Sequence, residues 1–78
     1  MVTYKISEDN NEYITYDYFP NGKEDKGFLT VNKKDGAIIN FSLAKTDEFK
    51  RYFFHFRDKI KEFVQQQDFP KEGYVAWY

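Results

Sequence analysis

The sequence predicts an α+β fold: a four-stranded antiparallel meander, one helix from the C-terminal half packed on one face, and a short C-terminal strand. Three observations predict it. Residues 1–45 alternate apolar and polar side chains between turn signals, and residues 46–67 change to the three-and-four spacing of a helix. Residues 68–78, DFPKEGYVAWY, form a separate short element. The 78 residues are read as one domain.

Each strand shows one apolar face. Val2, Tyr4 and Ile6 share a face in VTYKIS, and Ile14, Tyr16 and Tyr18 do so in EYITYDYF. Leu29 and Val31 follow in GFLTVNK, then Ile39, Phe41 and Leu43 in AIINFSL. A half-buried antiparallel strand produces this alternation. Directly paired residues must share a face, so parity constrains the turns. Pairing Val31 with Ile39 and Leu29 with Phe41 leaves the loop Lys34-Asp35-Gly36, with Gly36 at the left-handed position. Pairing Ile6 with Ile14 and Tyr4 with Tyr16 leaves Asp9-Asn10-Asn11, with Asn11 left-handed. A six-residue connection, Asn21 to Lys26, brings Tyr16 and Tyr18 level with Val31 and Leu29.

The helix is expected to start at Thr46 or Asp47, since either side chain can accept from a free first-turn amide. Phe49, Tyr52, Phe53, Phe56, Ile60, Phe63 and Val64 then form its apolar stripe. Phe69-Pro70 ends the helical region, and GYVAWY reads as a terminal strand beside an edge of the sheet.

Composition narrows the function classes. There is no cysteine, so no disulfide or thiolate metal site supports the fold. Nine Phe, seven Tyr and one Trp must supply the buried area instead. Twelve basic and thirteen acidic side chains nearly cancel, which argues against a field that attracts phosphates or anionic lipid. The N-terminal residues carry no apolar run, and no stretch approaches the ~20 apolar residues of a membrane helix. A cytoplasmic location without membrane contact is the expectation. Asn40-Phe41-Ser42 matches a glycosylation sequon, to which no role is assigned without a secretion signal.

The densest aromatic stretch is RYFFHFRDKI, residues 51–60. Phe54 leaves its stripe, pointing about 140° from Phe49. Its helical neighbours are Lys50, Arg57, Asp58 and Lys61. The plainer reading is a boundary ring, covered by the C-terminal segment or by a homodimer mate. The functional reading is an aromatic anchor with a basic rim for a protein partner. Lys50, Phe54, Arg57, Lys61, Trp77 and Tyr78 make up that candidate surface. The alternative is weak single-stranded nucleic-acid binding through Lys50, Phe54, Arg57 and Lys61. Asp58 and Glu62 interrupt that basic stripe and oppose this second reading. KGFLTV, residues 26–31, resembles the opening of an RNA-recognition motif but lacks its aromatic positions.

No catalytic, cofactor-binding or metal-binding residue is assigned. His55 could pair with Asp58, yet no nucleophile accompanies it. One histidine and scattered carboxylates give no metal-ligand spacing. On the outer sheet face, Asp17 is expected near Thr30 and Asn40, where a solvated face is the plainer reading.

DYFPNG, VNKKDG, the DEF-RY helix start and the ending FPKEGYVAWY resemble a set of small uncharacterised proteins of Gram-positive bacteria and their mobile elements. The resemblance implies a cytoplasmic accessory or regulatory protein. It implies no activity and no functional residues.

Overall fold

The computed structural model describes residues 1–20, 24–47 and 51–76. Strands β1 (Val2–Asp9), β2 (Tyr13–Pro20), β3 (Gly27–Asn32) and β4 (Ile38–Ser42) precede helix α1 (Arg51–Gln66) and strand β5 (Glu72–Val75). All strand pairs are antiparallel, and the sheet order is β4-β3-β2-β1-β5. The meander is present, and the terminal strand adds to the β1 edge. The helix packs on the apolar face, as the alternation requires.

The register differs from the sequence expectation by two residues in both early hairpins. Tyr4 pairs with Tyr18 and Ile6 with Tyr16, while Tyr16 pairs with Leu29 and Ile14 with Val31. A slip of two preserves parity, so the same side chains stay inside. The first turn is shaped by Asn10 rather than Asn11. Asn10 Oδ1 accepts the Glu12 and Tyr13 amides at 2.8 and 2.9 Å. This Asx turn needs no left-handed residue. The shift at Ser7 is absorbed by a bulge between Ile6 and Glu8. In the third hairpin Leu29 does pair with Phe41, and Gly36 has the expected positive φ of 77°. Val31, however, pairs with Ile38, because a bulge makes Ile39 the extra residue.

The described helix runs from Arg51, and residues 48–50, where the expected first turn falls, lie outside the described residues. Thr46 and Asp47 precede it in irregular backbone, and Phe49, placed in the apolar stripe by its spacing, lies outside the described residues. Asp47 still caps it from a distance. Its carboxylate accepts the Tyr52 and Phe53 amides at 3.0 and 2.8 Å. The same carboxylate accepts the Tyr18 hydroxyl at 2.9 Å, and the Tyr18 oxygen accepts the Ala44 amide at 3.0 Å. Asp47 is only 2% exposed. Nearby, Asp25 accepts the Lys45 and Thr46 amides at 3.0 and 2.6 Å, and these bonds, that from Thr46 foremost, lower its pKa. The far end of the helix closes in a Schellman motif. Asp68 N–H reaches the Phe63 carbonyl, and Gln67 N–H reaches that of Val64. Gln67 takes the left-handed position at φ 52°, with its side chain donating to the Lys33 and Val64 carbonyls.

The core is a stack of rings. Phe56 is fully buried, with its centroid 5.2, 5.7 and 5.9 Å from those of Tyr4, Tyr16 and Tyr18. Tyr18 lies close over Gly27, where an added Cβ would collide with its ring and the Ser42 carbonyl. Tyr16 donates to the Pro70 carbonyl at 2.6 Å and so ties the segment leading to β5 against the core.

Phe56→Ala should cost about 3–5 kcal/mol in chemical denaturation, most of a small domain's stability. Asp47→Ala removes a helix cap and strands the buried Tyr18 hydroxyl, and should cost roughly 2–4 kcal/mol by the same measurement. Burial raises the pKa of both Tyr16 and Tyr18 above the ordinary 10.0. The fold therefore holds neutral phenols that the unfolded chain would ionise. Their contribution is complete below pH 10.0 and falls as pH rises toward the elevated folded values. Alkaline titration should show loss of circular dichroism and appearance of the last tyrosinate absorbance in one transition.

Candidate functional site

α1 approaches β2 and β5 most closely, so it does not roof the β4 side of the sheet. Every residue of β4 is exposed. Ile38, Ile39 and Phe41 are 44%, 56% and 49% exposed, which corrects the sequence reading of Ile39 and Phe41 as interior. Phe41 does meet Phe53, with ring centroids 5.1 Å apart, but only on one flank. No charged residue occurs from Ala37 to Ala44.

The helix runs antiparallel to β4. Its first half meets Phe41 through Phe53, while Val64 near its end lies under Gly36 in the β3–β4 turn. Lys61 borders a concavity of about 200 Å³ with Asp35 and Gly36. Phe54, Arg57 and Lys61 are three and four residues apart and so share one stripe of the helix. Phe41 against Phe53, Phe53 against Phe54 and Arg57 over Phe54 bring β4 and this stripe side by side as one surface, apolar on the strand side and cationic on the helix side.

Phe54 stands at 42% exposure, with its ring centroid 5.9 Å from that of Phe53. The Arg57 guanidinium lies 4.8 Å from the Phe54 centroid and donates to Asp58 at 3.2 Å. Such a cation–π contact contributes about 0.5–1 kcal/mol at an exposed site. Arg57 Nε is buried and has no hydrogen-bond acceptor. Arg57 thus lies over Phe54, and Lys61 stands one turn further along the same helix stripe. Lys50, Trp77 and Tyr78 lie outside the described residues. Sequence reasoning missed the strand half of this surface, Ile38 and Phe41. The uncharged run from Ala37 to Ala44 was the signal for it, because edge strands usually carry charge.

The edge itself has a particular detail. The Phe41 amide donates to the side-chain Oδ1 of its own neighbour Asn40 at 2.9 Å. The Asn32 amide donates to the Ala37 carbonyl at 2.9 Å, closing the hairpin, and the alternation that follows from it turns the Phe41 amide away from β3. A side chain therefore occupies a backbone donor that faces the open edge.

Other surfaces hold less. Asp17 pairs with Phe28 across the strands and binds Lys26 at 3.3 Å, rather than meeting Thr30 and Asn40. Thr30 instead bonds Thr15 at 2.6 Å. A cleft of about 710 Å³ is lined by Lys33, Lys34 and Gln67 among others. The Lys33 ammonium there is already engaged by Asp9 at 2.7 Å and the Asn10 carbonyl at 3.0 Å. His55 is half-buried on α1, and the Asp58 expected beside it takes Arg57. Among the described residues no group of three or more His, Asp or Glu is placed to hold a metal ion, and no helix is long and apolar enough to cross a membrane. Comparison with known protein families, curated proteins and solved structures returned no match for this chain.

Proposed function

We propose that this chain is a small non-enzymatic protein-interaction or regulatory module, and that its contact surface is formed by β4 and the neighbouring stripe of α1. The observation that carries the reading is the grouping of Ile38, Phe41 and Phe54, each more than two-fifths exposed, on one side of the domain. Exposed apolar groups so close together, rimmed by Arg57 and Lys61, have the composition of a binding patch. Single-stranded nucleic acid is the rival ligand for the same cations and ring. The exposed apolar side chains of Ile38 and Phe41 support the protein reading, since a phosphate backbone gains nothing from covering them.

Phe54→Asp should leave the circular dichroism spectrum and thermal midpoint close to those of the parent chain, because the ring is substantially exposed. The same variant should lose proteins that the parent chain captures from a cell lysate. Unfolding by this substitution would make Phe54 a core residue and remove the surface. Salt-sensitive binding of the parent chain to single-stranded DNA or RNA, lost with Phe54→Asp, would replace the protein reading with the nucleic-acid one.

A further inference from the structure

Resting on that surface reading, we infer that the surface takes one kind of occupant: an extended segment of another protein, with apolar and acidic residues on the same face of the strand, added to the β4 edge. Three observations lead there. First, β4 is an edge strand with every residue exposed and no charge to block pairing. The opposite edge, β5, has only four residues and begins at Glu72. Second, the Phe41 amide faces the open edge and is occupied only by Asn40 Oδ1, a contact between adjacent residues. A backbone carbonyl from an added strand offers the amide a better-aligned acceptor. Third, cations outnumber carboxylates around β4 and the neighbouring stripe of α1. Arg57 and Lys61 lie on the helix stripe, and Lys34 and Lys45 stand in the chain beyond the two ends of β4. The nearby carboxylates are Asp35, which accepts the Ala37 amide, and Asp58, which pairs with Arg57, while Lys34, Lys45 and Lys61 form no ion pair among the described residues.

An added strand places alternate side chains on the helix side of the sheet. Residues two apart in the added strand share that side, the apolar ones meeting Ile38 and Phe41 and the acidic ones coming toward Arg57 and Lys61. Charge also separates this occupant from a second copy of the chain. Pairing β4 with β4 around a two-fold axis brings two sets of the same cations together, which is unfavourable.

A random-peptide library selected against the immobilised full chain tests this, followed by NMR of the full chain with the selected peptides. The expected peptides carry apolar residues and Asp or Glu at positions two apart, shift the amides of residues 38–42 and slow hydrogen exchange at Phe41. Arg57→Glu combined with Lys61→Glu should weaken them roughly tenfold. Asn40→Ala, which frees the Phe41 amide, should tighten them roughly threefold. Selection of basic or uncharged peptides, or of none, overturns the inference. So does sedimentation showing a β4-paired dimer without peptide. Peptides that perturb the Phe54 and Phe41 rings but leave the Phe41 amide unprotected refute strand addition while sparing the interaction surface. Peptides that bind away from α1 and β4 refute both.

Discussion

The buried carboxylate of Asp47 is the interaction on which the arrangement depends. A carboxylate removed from water is costly unless donors surround it. Asp47 receives three: the Tyr18 hydroxyl and the amides of Tyr52 and Phe53. Tyr18 in turn takes the Ala44 amide, so one acid joins β2, the segment after β4 and the start of α1. Its negative charge also sits at the positive end of the helix dipole. The helix is thereby held with Phe53 and Phe56 against Tyr18, and the ring stack follows from that placement.

The same tie explains the open side. A helix with its side chains is about 10–12 Å across. Five strands spaced about 4.8 Å apart make a sheet nearly twice as wide. One helix fastened over the middle strands must leave an outer strand uncovered. The short β5 lies beside α1, and β4 is the strand left out. Its apolar side chains are therefore a consequence of geometry as well as of sequence, and they give the domain its candidate surface.

Most of the fold was legible from local pattern. Parity placed Tyr4, Tyr16, Tyr18, Leu29 and Val31 inside, and all five are buried. It could not detect a register slip of two, because such a slip leaves every face unchanged. The bulge at Ile39 escaped for a related reason: an inserted residue breaks alternation only once its partner strand is known. Asp47 was readable as a cap from its residue type, but its burial and its bond to Tyr18 join positions 29 residues apart. Phe54 was legible from its helical angle alone. Phe41 was not, since alternation distinguishes the two faces of a strand and says nothing of how far a roof extends across them.

By itself the sequence determined the kinds of element, their order, the inward face of the inner strands and the stripe of α1. These are periodic properties, set by the geometry of a few neighbouring residues. Only the tertiary structure decided the registers, the burial of Asp47 and the exposure of β4 beside Phe54 and Arg57. Those features depend on where one narrow helix is tied across a wider sheet, and no local spacing records that position.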